Sequence, residues 1–161
     1  MTSLRNAYWL ALLVPAALLG GALISQYGFG LFPCEMCMWQ RWPHFAAIIL
    51  ALSALLFRSK RWSVSLVVAA ALAILASGLI GGFHAGVEYG WWEGLTSCAT
   101  NMPAGGDMLD SIMNAPLVRC DVAPWTLLGI SLAGFNFLLS VAGASLILFI
   151  VATGRKDVDN G

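Results

Sequence analysis

Four long stretches almost free of charge decide what this chain can fold into. They run from about Ala7 to Ile24, Trp39 to Phe57, Ser63 to Phe83 and Trp125 to Ala152. Each meets the roughly 17–25 residues a helix needs to cross a bilayer. Backbone groups in hydrocarbon must be satisfied internally, so such runs predict helices that span and pack side by side. Composition points the same way: 60% of the 161 residues are hydrophobic and 10% charged, against about a quarter charged in soluble domains. The formal net charge is zero, which leaves no basic field to hold nucleic acid. The expected fold is all-α integral membrane: one domain over residues 1–161, a four-helix transmembrane bundle. Arg5 with the small Gly20 and Ala22 suits a signal peptide, but the first apolar run exceeds the usual ~7–15 residues of such a leader.

The cations give an orientation. With four spans, Arg5, Arg58, Lys60, Arg61, Arg155 and Lys156 share one side, and only Arg41 and Arg119 lie on the other. The positive-inside rule then puts both termini in the cytoplasm. All four cysteines, Cys34, Cys37, Cys98 and Cys120, fall on the outer side, which in a bacterium is the oxidising periplasm. The first outer loop, about Ser25 to Met38, is short; the second, about His84 to Pro124, is long, and loops of that length commonly carry function. Within it Gly105-Gly106 reads as a hinge and 107–114 as a short amphipathic helix, with Met108, Leu109, Ile112 and Met113 on its apolar side. That helix suits the membrane interface or simple packing on the bundle.

Cys34 and Cys37 stand just after Pro33, at the expected start of the second helix. Free backbone N–H groups and the helix dipole there favour a thiolate. Arg41 follows Cys37 by four residues and Cys34 by seven, so all three share a helical face. Two inert structural bridges are the bland alternative for four cysteines outside the cell. A bridge across two residues, however, closes too small a loop to constrain the unfolded chain much. A Cys₄ zinc site normally uses two closely spaced pairs, whereas Cys98 and Cys120 are far apart in sequence. Covalent haem attachment needs a histidine after the second cysteine, and Met38 stands there. The pair thus points to disulfide exchange. Glycines 78 to 86 lie in or just past an apolar helix rather than after a strand, so no dinucleotide fingerprint is present, and a lipid-dissolved quinone in a slot between helices is the natural electron acceptor.

Three blocks resemble the DsbB family of quinone-dependent, disulfide-generating membrane proteins. They are Pro33-Cys34-Glu35-Met36-Cys37-Met38-Trp39-Gln40-Arg41; His84-Ala85-Gly86-Val87-Glu88 through Trp92 to Cys98; and Cys120-Asp121 through Trp125 to Leu128-Gly129-Ile130-Ser131-Leu132-Ala133-Gly134-Phe135-Asn136. The resemblance covers nearly the whole chain and implies a relay in the bacterial inner membrane. A reduced periplasmic thioredoxin-like partner (DsbA-like) forms a mixed disulfide with Cys98, Cys120 exchanges with Cys34, and Cys37 passes electrons to ubiquinone or menaquinone. By the same resemblance Arg41, His84, Leu132 and Phe135 line the quinone site. A guanidinium suits both a thiolate and a developing oxyanion; a histidine can bond a ring carbonyl or carry a proton. Glu88, four residues after His84, shares its face. His44 is an intramembrane ionisable group outside the resemblance and is left out of the expected site. The Phe135-Asn136 pair departs from the family, where a tryptophan is usual. A non-catalytic scaffold with two structural disulfides, and a protein passing reducing equivalents outward, are the alternative readings.

Overall fold

The computed structural model describes residues 2–95, 99–100 and 117–159. Among the described residues four helices carry the fold: α1 (Thr2–Phe29), α2 (Glu35–Leu56), α3 (Ser63–Glu88) and α4 (Leu132–Asp159). Three of them contain segments long and apolar enough to cross a membrane, Leu4–Phe29, Ser63–Glu88 and Leu132–Gly154. The protein is a multi-pass membrane protein. α2 is a fourth helix whose first turns carry Glu35, Gln40, Arg41 and His44, which lowers its apolar character. Gln40, Arg41 and His44 among them line the cleft described below.

The helices meet through small residues. Ala7, Ala11, Ala47, Ala51, Ala54, Ala70, Ala71 and Ala144 are buried beside Val67, Ile74 and Ile147. A Cβ on Gly78 would lie 2.9 Å from that of Ser140, and one on Gly143 2.9 Å from Val14. Lipid removes the hydrophobic reward for helix association, so close approach over small residues has to supply it. Large apolar side chains such as Trp9, Ile49, Leu79 and Phe149 point outward instead. Tyr8 and Ser63 hydroxyls join α1 to the start of α3 at 2.6 Å.

The ends of the helices depart from expectation. α1 continues to Phe29 and α2 begins at Glu35, so only residues 30–34 form the first connection. α3 runs past Phe83 to Glu88, which puts His84 and Glu88 on the helix rather than in the loop. It stops at Gly90 (φ +70°), with Gly90 N–H bonded to Val87 O and Trp91 N–H to Gly86 O, the paired closure that a left-handed glycine allows. The fourth helix does not start at Trp125. Thr126–Leu127 and Ile130–Ser131 (β3 and β4) form an antiparallel hairpin around Leu128-Gly129. Leu128 and Gly129 both have positive φ, 52° and 78°, as a two-residue hairpin turn of this hand requires. The Tyr89 hydroxyl holds the turn, donating to Gly129 O and accepting from Ser131 N–H, each at 3.0 Å. Ser131 then caps α4, its Oγ accepting from Gly134 N–H at 3.1 Å. A second short pair, Ala99–Thr100 with Leu117–Val118 (β1 and β2), runs antiparallel ahead of Cys120. Cys98, the Gly105-Gly106 hinge and the amphipathic segment 107–114 lie outside the described residues.

Candidate functional site

Cys34 is the N-cap of α2. Its backbone is extended (φ −75°, ψ 175°) and its Sγ accepts from Cys37 N–H at 3.2 Å, the place an oxygen side chain usually fills. The two sulfurs hydrogen-bond at 2.8 Å. They are not equivalent. The hydrogen bond with Cys37, together with burial, pushes the Cys34 thiol up to about 12. The same hydrogen bond from Cys34 holds Cys37 below the ordinary thiol value, helped by a backbone hydrogen bond from Cys34. The hydrogen bond between the two sulfurs therefore favours a thiolate at the second cysteine and, with burial, keeps the first one protonated.

Around this pair three elements converge. His84, from α3, brings Nε2 to 3.5 Å from Cys34 Sγ. Cys120, from the segment leading into α4, is buried against Cys34, Met36 and Val87, and the reactive atoms of Cys34, His84 and Cys120 all lie within 4.8 Å of one another. Wide separation in sequence thus hides a close approach in space. Glu88 Oε1 is 3.8 Å from His84 Nε2. The end of α3 is packed tightly here: Trp92 stacks on Phe83 (ring centroids 5.7 Å apart) and donates to Phe83 O at 2.9 Å.

On one side of the pair opens a cleft of about 340 Å³ between α1, α2 and α4. Cys37, Arg41, His84, Leu132 and Phe135 all line it, with apolar walls from residues such as Leu18 and Leu139. On the other side a cavity of about 320 Å³ is lined by Cys34 and Cys37 together with Val118 and Arg119. Cys37 borders both spaces, whereas Cys34 borders only the second. Arg41 is buried and donates to Gln26 Oε1 at 2.6 Å and to Ala22 O at 3.3 Å. Both partners are neutral, so the charge is not cancelled by them. Such a cleft suits a flat apolar molecule carrying acceptor atoms at its edge.

His44 belongs here too, contrary to its omission from the expected site. It lines the cleft and bonds Asn136 Oδ1 through Nε2 at 2.9 Å. Gln40 and Asn136 also line the cleft and join each other at 2.8 Å. Helical spacing puts Gln40 and His44 on one face, i and i+4; nothing in the sequence joins them to Asn136 on another helix.

A sequence model of the family described as Disulfide bond formation protein DsbB matches residues 4–150. A Disulfide bond formation protein B of Chromohalobacter salexigens is 33% identical over 146 residues, covering 89% of this chain and 77% of its own. That of a Polaromonas species is 30% identical over 161 residues, covering 91% and 90%. That of Verminephrobacter eiseniae is 29% identical over 163 residues, covering 94% and 88%. No solved structure gives a significant match. With a match running through all four described helices, the chain belongs to the DsbB family of disulfide bond formation proteins.

Proposed function

We propose that this protein is a quinone-linked thiol oxidase that makes disulfides de novo in a periplasmic, thioredoxin-like (DsbA-like) partner. One observation carries the reading: Cys37, the sulfur disposed to be a thiolate, lines an apolar cleft with Arg41 and His84, while Cys34 lies on the side of Cys120.

The chain's own groups divide the work as follows. A thiolate of the reduced partner attacks Cys98 in a Cys98–Cys120 disulfide and releases Cys120 as a thiolate. The partner's second sulfur closes its own disulfide and releases Cys98. Cys120 attacks Cys34 of a Cys34–Cys37 disulfide, and Cys37 leaves as the thiolate its surroundings favour; Cys98 then attacks Cys120, restoring the Cys98–Cys120 disulfide and leaving Cys34 and Cys37 as the reduced pair whose two electrons and two protons depart. Arg41 places a positive charge on the wall where negative charge collects. The net change is one partner dithiol converted to a disulfide, with two electrons and two protons departing through the cleft. A membrane quinone (ubiquinone or menaquinone) held by Arg41, His84, Leu132 and Phe135 supplies the capacity to accept them. The apolar walls and the donors Arg41 and His84 fit such a ring, whose carbonyl oxygens only accept.

The topology proposed is four spans in the bacterial inner membrane, with both termini cytoplasmic and the cysteines periplasmic, from the distribution of arginine and lysine. Purified protein mixed with a short-chain quinone and a reduced thioredoxin-fold partner is expected to bleach the quinone absorbance. Cys37→Ser is expected to abolish bleaching while leaving thermal unfolding unchanged. Intact, folded protein that produced no bleaching would overturn the proposal, and a fold that collapsed with Cys37→Ser would favour structural bridges.

A further inference from the structure

A chain of polar side chains, buried at His44, Gln40 and His84 and half-buried at Asn136, runs from His44 through Asn136 and Gln40 to His84, and its direction can be worked out. Two backbone carbonyls fix it, because a carbonyl oxygen only accepts. Gln40 Nε2 lies 3.2 Å from Met36 O, so the Gln40 nitrogen, not its oxygen, faces that way. Asn136 Nδ2 lies 3.2 Å from Ser77 O, which orients the second amide in the same manner. Turning either amide over would set two oxygens against each other.

The rest follows by donor and acceptor counting. Gln40 has a second N–H, and it points at His84 Nδ1, 2.9 Å away. Gln40 Oε1 accepts from Asn136 Nδ2 at 2.8 Å. Asn136 Oδ1 accepts from Ser140 Oγ at 3.0 Å and from His44 Nε2 at 2.9 Å. His84 Nδ1 must therefore be bare, and a neutral imidazole then carries its single proton on Nε2. That nitrogen is the one 3.5 Å from Cys34 Sγ. All four links point the same way, ending at sulfur.

We propose that Gln40 and Asn136 are positioning residues that lock His84 in the Nε2–H form, so the ring offers a proton donor, not an acceptor, to Cys34 and to the cleft. The use of that donor rests on the thiol-oxidase reading; the tautomer itself does not. The arrangement is specific in shape as well. A Cβ on Gly81 would come within 2.9 Å of Asn136 Nδ2 and 3.1 Å of Gln40 Oε1, so only glycine leaves the two amides room to meet there.

The test is ¹⁵N NMR of histidine-labelled protein in nanodiscs near neutral pH, with neither quinone nor partner added. The chain has two histidines, and His44→Gln separates their signals. The intact protein is expected to show His84 with a bare Nδ1 and a protonated Nε2. Gln40→Glu replaces the N–H donor by a carboxylate that only accepts, so the bare Nδ1 signal is expected to disappear as that nitrogen takes the proton. A protonated Nδ1 in the intact protein, or a bare Nδ1 that survives in folded Gln40→Glu, would overturn the proposal. The intact-protein measurement decides the matter even where Gln40→Glu fails to fold. Loss of quinone bleaching in the intact protein would instead sink the oxidase reading and leave the tautomer result standing.

Discussion

Arg41→Ala is expected to weaken quinone binding far more than it weakens the fold. On the folding side, the guanidinium makes two hydrogen bonds, to Gln26 Oε1 and Ala22 O. Buried polar links between membrane helices are worth on average about 0.6 kcal/mol each, so the loss is roughly 1 kcal/mol. No carboxylate is paired with Arg41 among the described residues, so truncation strands no opposite charge; stranding one is what makes such deletions severe. On the binding side, a hydrogen bond from a charged donor to a ligand oxygen is worth about 1.5–3 kcal/mol. At about 1.4 kcal/mol per tenfold, the apparent KM for a short-chain quinone is expected to rise roughly 10- to 150-fold. The assay follows quinone absorbance against quinone concentration, with thermal unfolding in the same detergent alongside. Arg41→Lys keeps the charge but loses the planar fork, and its KM is expected to fall between the two. An unchanged KM in Arg41→Ala, or a variant that unfolds while Arg41→Lys binds as weakly, would refute the reasoning.

The two thiols of the reduced pair should titrate apart. Cys37, held below the ordinary thiol value by Cys34, is expected to be alkylated by iodoacetamide at pH values where a free cysteine is still protonated, and its rate should level off early as pH rises. Cys34, pushed up to about 12, stays a thiol over that range and is expected to react slowly; mass spectrometry of the pH series checks this, and equal rates with one ordinary midpoint near ~8.5 would contradict it. A Cβ on Gly86 would lie 2.0 Å from Trp92 Cζ2, so Gly86→Ala must expel the indole from its stack on Phe83 and from its bond to Phe83 O. Stacking at about 0.5–1.5 kcal/mol and the bond at a similar value make the expected loss roughly 1–3 kcal/mol in thermal unfolding. The penalty should largely vanish in a Trp92→Ala background; an equal penalty there would rule the clash out as its cause.

Residues near in sequence were legible and residues near only in space were not. Pro33 before the cysteine pair predicts the start of α2, and Cys34 is its cap. Spacings of four and seven put Arg41 on the cysteines' side, and it lines the cleft with Cys37. Leu132 and Phe135 came from resemblance alone, since apolar residues on a spanning helix carry no local signal of what they face. The hairpin of residues 126–131 was invisible because Leu128 occupies a positive-φ turn position where Asn or Gly is the usual signal; the Tyr89 hydroxyl, distant in sequence, supplies the constraint. His44 and Asn136 were missed for the same reason: 92 residues separate them, and their bond arises only from how α2 and α4 dock on α3.

That docking makes Gly81 the point where packing and chemistry meet. Gly81 and Gly82 are neighbours on α3, and both are crowded. Beyond Gly82 a Cβ would press 2.8 Å against Phe137 Cδ2, part of a side chain that can turn away. Beyond Gly81 it would press against Asn136 Nδ2, Ala133 O at 3.0 Å and Gln40 Oε1, a backbone carbonyl and two amides already committed to partners. Overfilling of a packed site costs about 1–3 kcal/mol, and either alanine variant is expected to pay it in thermal unfolding. Only Gly81→Ala should also part Gln40 from Asn136, release the grip on His84 Nδ1 and give mixed tautomer signals in the ¹⁵N spectrum. Gly20→Ala, where a Cβ meets nothing within 4 Å, is the control and should change neither readout. If Gly82→Ala scrambled the His84 signals as Gly81→Ala does, general loosening of the bundle would explain both, and the amide chain would lose its claim to set the proton's place.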